Sequence, residues 1–200
     1  SKGVKNKNRI IFGKKPLFFW TINEALKSKF IDKIIISSDD KKIISFKKSF
    51  KNNKIIFLER KKELASDTSL IFDTLTEILD DYKKEYKSFI LLQPDSPLRK
   101  KIDIDNSIKN YLNKNALSCV SVTKTKKPPE LYYKINKKNF LINKFIDNSM
   151  PKNKQDYEFF YEINGAVYIS NIKQYYKSKS FISRKTCTYE MPIERSVDID

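Results

Sequence analysis

The chain has 200 residues, with 41 Lys or Arg against 24 Asp or Glu, a formal net charge of +17 and no histidine. This length allows one domain with a hydrophobic core, and the 40% hydrophobic content argues against a wholly disordered chain. The absence of histidine excludes His-based triads, and no apolar run approaches the roughly 20 residues of a membrane span. We therefore expect a cytoplasmic protein that does not contact a membrane.

The high positive charge does not by itself indicate a nucleic-acid-binding protein. The lysines are spread along the whole chain beside many Asn and Ile residues, which is typical of a codon bias rather than of one binding stripe. Polyanionic small molecules such as nucleotides are compatible with the same charge. We therefore predict no nucleic-acid partner and keep a non-catalytic basic binding module as an alternative.

The first half of the chain predicts alternating helices and strands. Apolar residues at helical spacing predict a helix over residues 16–30. Short β-branched runs predict strands over 33–38 and 54–59, with a helix over 39–50 between them. A long amphipathic helix is predicted from Thr68, where a hydroxyl can cap the first turn.

The second half continues this alternation. A strand, "FILLQ", stops at Pro94, a helix is predicted over 103–114 and a strand over 117–123, and further on the strand "GAVYIS" precedes the helix "IKQYYKS". Strands separated by helices predict an α/β fold with a mainly parallel, Rossmann-like sheet and helices on both faces. Ligands of such folds bind beyond the carboxyl ends of the strands.

Residues 127–162 interrupt the alternation. They are rich in Lys, Asn and aromatic residues, contain two adjacent prolines and show no clear period. A flexible linker would not contain so many aromatic side chains, so we interpret the segment as an arm that packs on another surface. The arm is predicted to mediate dimerisation.

The chain opens on "SKGVKNKN", a basic stretch around one of only three glycines. Taken alone, these residues leave two interpretations open. One is a frayed basic terminus, and the other is a phosphate-binding loop whose lysines and backbone N–H groups stabilise negative charge. Segments further along the chain favour the second.

Seven segments together carry a resemblance to a known family. They are "SKGVKNKN", "KPLFFWTINEALKS", "IIISSDD", "ELASDTS", "ILLQPDSPLR", "NGAVYI" and "SVDID". In their order and approximate spacing, the chain resembles the N-acylneuraminate cytidylyltransferases, which make CMP-sialic acid, and their bacterial relatives for legionaminic and pseudaminic acids. The resemblance implies a nucleotide-diphospho-sugar transferase fold and a homodimer. It also implies transfer of CMP from CTP to the anomeric hydroxyl of a nine-carbon 2-keto sugar acid, with release of pyrophosphate. A cytidylyltransferase for the eight-carbon acid KDO, or for another sugar acid, is the alternative within this fold.

The resemblance implies a nucleotide site as well. Lys2 and Lys7 match lysines that hold the CTP phosphates in the family, and as catalytic residues they would neutralise the charge that grows on the phosphoryl oxygens. Arg60 lies where the family surrounds cytosine and ribose, and a helix start capped by Ser66 or Thr68 is the alternative interpretation there. The nucleotide contacts implied by the resemblance are Ser1, Gly3, Asn8, Arg60, Ser66 and Asp67.

Contacts with the acceptor sugar are implied at Gln93, Arg99 and Asn164. The amide of Gln93 can both donate and accept, which suits hydroxyl and acylamino groups, whereas a plain surface charge is the alternative for Arg99. Two departures from the family pattern lie nearby: Asp95 stands where relatives often have threonine, and Glu162 where several have arginine. These departures leave the identity of the sugar acid open.

Asp198 and Asp200 are the last pair of chemical interest. In an extended segment, residues two apart point to the same side, so the two carboxylates can converge on one ion. Mg²⁺ favours one or two carboxylates together with phosphate oxygens and waters. In the family these aspartates hold the catalytic magnesium, so the resemblance implies Mg²⁺ as cofactor, and a solvated acidic pair is the alternative.

The two ends of the chain differ from the family pattern. Relatives precede the SKG segment with an apolar strand and continue past the DID segment into a helix. The resemblance therefore implies a single cytidylyltransferase domain over residues 1–200 that lacks its N-terminal strand and C-terminal helix. Because such a strand lies inside the sheet, we expect these 200 residues alone to be unstable or inactive.

Overall fold

Strands and helices alternate through most of the chain in the computed structural model, which describes residues 4, 6–61, 71–144 and 159–199. The strands are β1 (Ile11–Phe12), β2 (Lys15–Pro16), β3 (Ile34–Ser38), β4 (Ile55–Glu59), β5 (Ser88–Leu91), β6 (Ser118–Lys124), β7 (Tyr133–Ile135), β8 (Leu141–Lys144), β9 (Tyr161–Asn171) and β10 (Thr186–Glu190). The α-helices are α1 (Leu17–Leu26), α2 (Lys41–Ser45), α3 (Ile71–Tyr82), α4 (Lys101–Asn113) and α5 (Ile172–Ser178). The predicted α/β class is confirmed.

Two sheets form the centre of the fold. One has four strands in the order β10-β6-β9-β5, and the other is the parallel pair β3 and β4. In the larger sheet β10 runs parallel to β6, whereas β9 is antiparallel to both β5 and β6. Three of its four strands therefore share one direction, in agreement with a mainly parallel sheet.

The reversed direction of β9 was not predicted, and it follows from the connection that precedes this strand. A parallel return needs a crossover that carries the chain back to the opposite end of the sheet. Here β6 ends at Lys124, opposite Tyr161 at the start of β9. The chain therefore re-enters the sheet at the edge where it left it, and the strand must run backwards.

Helices cover both faces of the four-stranded sheet, as predicted. Neighbouring residues of a strand point to opposite faces. Phe89 of β5 packs with Tyr175 of α5 and Leu79 of α3, whereas Ile90 packs against the cluster that contains Ile104 of α4. The smaller sheet has its own core, in which Phe18, Ile22, Ile43 and Phe57 join α1 and α2 to β4.

Between the two sheets lies a cavity of about 900 Å³. Side chains of β3 and β5 line it from two sides, and α1 and α3 contribute further apolar residues such as Ile22 and Leu79. In the described residues, β3 pairs only with β4 and β5 only with β9. The cavity is apolar along the strands and polar beyond their carboxyl ends.

Five strands were not predicted: β1 and β2, the hairpin strands β7 and β8, and β10. Strand β10 pairs in parallel with β6 along five positions, from Thr186 to Glu190. The described part of the arm contains the antiparallel hairpin β7–β8, whose side chains at Tyr133 and Ile135 are exposed. Within the described residues, no helix combines the length and apolar character needed to cross a membrane.

Candidate nucleotide and acceptor site

The polar end of the cavity gathers side chains from four separate parts of the chain. They follow β3, β4 and β5, and the short 3-10 helix Lys7–Arg9 adds the fourth part. This is the edge at which parallel α/β sheets bind ligands. The side chains on which the site depends are Lys7, Asn8, Asp39, Arg60, Gln93 and Asp95.

Lys7 connects the basic opening segment to two other parts of the site. Its Nζ donates to the carbonyl oxygen of Ile199 at 2.6 Å and lies 3.4 Å from Oδ2 of Asp95. The side chain is only 13% exposed. The backbone N–H of Ile199 in turn donates to the carbonyl of Asp95 at 3.0 Å. The predicted phosphate lysine therefore lies beside the SVDID segment, as the proposed chemistry requires.

Arg9 and Asp40 form an ion pair that ties the opening segment to helix α2. Arg9 Nε donates to one carboxylate oxygen of Asp40, and the other accepts the N–H of Lys42 at 2.9 Å and so caps α2. Partial burial opposes ionisation of Asp40. The hydrogen bonds from Arg9 and Lys42 outweigh this effect and lower the pKa of Asp40.

Arg60 lies at the rim of the cavity, directly after β4. Its Nη2 donates to Oδ1 of Asp39 at 2.6 Å, and its backbone N–H donates to the carbonyl of Ser38 at 2.9 Å. Nε of Arg60 is buried and has no hydrogen-bond partner among the described residues. The guanidinium therefore retains a donor that a polar base edge could use.

Gln93 and Gly165 come together although they are far apart in sequence. Gly165 has a φ of +75°, which only glycine adopts without strain, and a Cβ added there would lie 3.5 Å from Oε1 of Gln93. The NGA segment departs from the regular ladder at this point, because the β6–β9 register shifts between Val120 and Val122. Such a bulge aims residues away from the sheet, and here Gly165 lies next to Gln93.

Asn164 is held by three hydrogen bonds. Its Oδ1 accepts from Ser121 Oγ at 2.6 Å and from the N–H of Ala166 at 3.2 Å. Its Nδ2 donates to Ser196 Oγ at 2.9 Å. The amide thus links β6 and β9 to the segment that leads to Asp198. A direct contact with the acceptor sugar stays a prediction.

Arg99 lies in the interior behind Gln93 and is 2% exposed, so the alternative of a surface charge is wrong. Its guanidinium donates to the carbonyls of Gln93 and Ala166 and to Thr21 Oγ1. Burial lowers the pKa of Arg99 to about 10, which still leaves the side chain charged at neutral pH. This geometry supports a structural role in which Arg99 acts as a brace that holds the backbone at Gln93 in place. A direct substrate contact by Arg99 stays a prediction.

Asp198 lies in an exposed segment after β10. Burial raises the pKa of Tyr168, and the charges of Asp198 and Asp95 raise it further, so both carboxylates lie near this phenol. Oδ1 of Asp95 is buried without a hydrogen-bond partner in the described part of the chain. Among the residues that the structure describes, no three acidic, Cys or His side chains come together as a metal site. The hard oxygen donors nevertheless fit Mg²⁺, since it needs only one or two carboxylates when phosphate oxygens complete its shell.

Six of the predicted site residues lie outside the described residues. They are Ser1, Lys2, Gly3, Ser66, Asp67 and Asp200. Of the others, Lys7, Asn8, Arg60 and Gln93 line the same cavity, although the sequence separates the first and last of them by more than eighty positions. The structure therefore brings these four residues together, whereas Arg99, Asn164 and Asp198 do not line this cavity.

Comparison with known proteins agrees with this arrangement. Residues 1–198 match the family described as cytidylyltransferase. The chain belongs to the cytidylyltransferase family. It is 34% identical over 201 residues to the N-acylneuraminate cytidylyltransferase of Escherichia coli, and it spans about half, 46%, of that relative. It is 30% identical to the CMP-N,N'-diacetyllegionaminic acid synthase of Legionella pneumophila, of which it spans 86%. The resemblance inferred from the seven segments is confirmed.

Solved structures show the same fold for this cytidylyltransferase chain. The structure of CMP:2-keto-3-deoxy-manno-octonic acid synthetase complexed with CTP superimposes with a TM-score of 0.63 and covers 94% of this chain and 84% of its own. Its sequence identity is 16%, so the likeness shows the fold alone. The nucleotide-diphospho-sugar transferase fold predicted from the sequence is thereby confirmed.

Several residues of the site were not predicted. Asp39 and Asp40 lie in the quoted "IIISSDD" segment, yet their partners, Arg60 and Arg9, could not be identified without the fold. Ser121 appears in sequence only as a small residue of a buried strand. The "RSVDID" segment contains both Ser196 and Arg195, and its position next to the acidic pair is the one signal that could have indicated them.

Proposed function

We propose that the protein transfers CMP from CTP to the anomeric hydroxyl of a nine-carbon 2-keto sugar acid and releases pyrophosphate. The observation that carries this proposal is the convergence of Lys7, Arg60 and Gln93 on one cavity in a chain of the cytidylyltransferase family. The nucleotide would bind between the opening segment and the ends of β3 and β4. The acceptor would bind between Gln93 and the NGA bulge.

The side chains suit an in-line displacement at the α-phosphorus. As the sugar hydroxyl attacks, negative charge grows on the phosphoryl oxygens and on the leaving pyrophosphate. Lys7 is held close to Ile199 and can neutralise this charge without a large movement. Lys2 would add a second cation from the same segment. Arg60, whose Nε has no partner among the described residues, would read the polar edge of the base.

Asp198 and Asp200 would hold Mg²⁺, which when bound would neutralise phosphate oxygens and help to orient them. The bond between Lys7 Nζ and the carbonyl of Ile199 ties this cation to the residue that lies between the two aspartates in sequence. Lys7 on one side, and a divalent cation held by the two aspartates on the other, would both stabilise the negative charge of one phosphate group.

The acceptor side supports recognition of a sugar acid with several polar groups. Gln93 offers a donor and an acceptor, and Oδ1 of Asp95 is an acceptor that lacks a partner among the described residues. A hydroxyl or acylamino N–H of the sugar would satisfy this oxygen. Asp95 therefore favours acceptors that present a donor at this position, such as modified relatives of sialic acid.

We also propose that the protein acts as a homodimer in the cytoplasm. The hairpin β7–β8 exposes Ile135 by 64%, Phe140 by 65% and Leu141 by 65%, and Phe159 nearby in sequence is 77% exposed. Apolar surface of this kind is typical of an interface. Cys119 and Cys187 are free thiols, which agrees with a reducing compartment. The mass in solution, measured by light scattering, tests the dimer.

The test of the activity is pyrophosphate release from CTP and Mg²⁺ with a panel of 2-keto sugar acids. Sialic, legionaminic and pseudaminic acids are compared with KDO, and UTP replaces CTP as the nucleotide control. Release with one nine-carbon acid and CTP supports the proposal. Release with KDO alone would support the eight-carbon alternative. If no acid of the panel supports pyrophosphate release, and the affinity for RNA or DNA falls steeply as the salt concentration rises, the result would indicate a basic binding module instead.

A further inference from the structure

Arg195 and Asp103 form an ion pair that lies outside the cavity but directly before the acidic segment. Nε of Arg195 donates to Oδ2 of Asp103 at 3.0 Å, and Nη2 donates to Oδ1 at 2.8 Å. Two parallel bonds of this kind fix both the distance and the orientation of a guanidinium. Asp103 is fully buried, so its carboxylate cannot move to follow a mobile partner.

Asp103 is itself held from two other directions. Its Oδ2 accepts the backbone N–H of Lys100 at 2.9 Å and thereby caps helix α4. Its Oδ1 accepts from the hydroxyl of Tyr189 in β10 at 3.2 Å. The carboxylate is therefore a fixed point that joins α4, β10 and Arg195. The hydrogen bonds that Arg195 donates to Asp103 also raise the pKa of Arg195, so the pair stays ionised.

The segment after Arg195 depends on such fixed points. Val197 is 47% exposed and Asp198 is also exposed, so packing against a core does not hold them. Two further bonds, from Asn164 to Ser196 and from Ile199 to the carbonyl of Asp95, fix the residues on either side of this pair. The Arg195 pair completes the upstream anchor, because Arg195 ends the 3-10 helix Ile193–Arg195 from which the segment emerges.

From this geometry we infer that Arg195 is a positioning residue, which holds the carboxylate of Asp198 in place for a divalent cation through its paired hydrogen bonds to Asp103. The inference rests on the proposed function. Arg195 touches neither the cavity nor the cation, and its effect passes through residues 196–198. Side chains that orient a metal ligand in this way typically change metal affinity by about 10-fold or more when they are replaced.

The test compares Arg195→Met and Arg195→Lys with Lys101→Met as a matched control. Lys101 also forms an ion pair with an acidic residue of α4, Asp105, but it does not touch the segment that leads to Asp198. Three quantities are measured in the presence of CTP: Mn²⁺ affinity by electron paramagnetic resonance, amide hydrogen exchange over residues 196–199, and pyrophosphate release as a function of Mg²⁺ concentration. The first two do not depend on activity.

We expect Arg195→Met to weaken Mn²⁺ binding about 10-fold and to speed exchange over 196–199, while Lys101→Met changes neither. Arg195→Lys keeps the charge but loses the paired geometry, so it should lie between the wild type and Arg195→Met. If Arg195→Met does not fold, the lysine variant decides with the same measurements.

Unchanged Mn²⁺ affinity in the folded Arg195 variants would overturn the inference, even if their thermal stability falls, because a purely structural role lowers stability alone. Wild-type protein that releases pyrophosphate but shows no difference between the Arg195 variants and the control would overturn the inference and leave the proposed function standing. Wild-type protein that binds no Mn²⁺ would overturn both the metal role and the inference.

Discussion

The nucleotide side and the acceptor side of the site are built from different kinds of contact. On the nucleotide side, Lys7, Arg9 and Arg60 each pair with an aspartate, and the exposed fractions of these side chains range from 13% for Lys7 to 47% for Asp39. On the acceptor side, Arg99 and Asn164 are hydrogen-bonded to backbone carbonyls, hydroxyls and an amide N–H. The nucleotide side therefore holds its cations by partly exposed ion pairs, whereas the acceptor side holds each polar group by several hydrogen bonds.

The difference follows from what each side must do. A cation paired with a partly exposed carboxylate gains little from the pair, typically less than about 1 kcal/mol, and can exchange that partner for a phosphate at low cost. A buried guanidinium that donates hydrogen bonds to two carbonyls cannot move away without leaving both oxygens buried and unsatisfied. The nucleotide side is therefore suited to bind charge. The acceptor side is suited to keep Gln93 and the NGA bulge in a fixed geometry.

The largest effect is expected from Lys7→Ala, which tests whether the basic side chains of the nucleotide side take part in the reaction. Loss of a preorganised cation at the developing phosphate charge should lower kcat for pyrophosphate release about 100-fold. Lys14→Ala is the control, since Lys14 is an exposed lysine of the same region. Lys7→Arg should recover part of the rate. Equal rates for Lys7→Ala and Lys14→Ala would remove Lys7 from the mechanism.

A second, intermediate effect is expected from Arg99→Met, which tests whether the hydrogen bonds of the acceptor side stabilise the fold. The substitution leaves the carbonyls of Gln93 and Ala166 without their buried donor. We expect a loss of about 3 kcal/mol in the free energy of unfolding, seen as a fall in Tm of roughly 10 °C. Thr21→Val removes only one partner of the same guanidinium and should cost less. A raised KM for the sugar acid at unchanged Tm would instead show that Arg99 contacts the substrate.

The smallest effect concerns the pH dependence of Asp40. Because its pKa is lowered on folding, Asp40 stabilises the fold above the unfolded-state value of about 3.9, and this contribution is lost as the pH falls through the lower folded value. Asp40→Asn should therefore lower Tm by about 2 °C or less near pH 6, and the difference should shrink as the pH falls below about 3.9. Thermal melts between these pH values measure it. Asp81→Asn, at an exposed acid of α3, should show no such trend, and a difference that grows in acid would contradict the assignment.

Much of the fold could be predicted because local pattern and fold agree. The β-branched runs at β3 and β4 and the apolar periodicity of α1 and α4 fix these elements wherever they pack. In strand β10, "TCTYE", polar residues alternate with Cys187 and Tyr189, but so short a run is a weak signal, and only its pairing with β6 makes it a strand. The direction of β9 escaped prediction because it depends on where the arm returns, which no local pattern specifies.

The site, like the fold, could be predicted from the sequence only in part. The sequence by itself determined the family, the order of the segments, and the residue types that suit phosphate and sugar recognition. The tertiary structure decided which charges meet: that Lys7 lies beside Ile199, that Arg99 is a buried brace rather than a surface charge, and that Arg195 pairs with Asp103. Residue types and their spacing are local properties that a sequence states directly, whereas burial and the choice of partner depend on distances between segments that only the packed chain brings together.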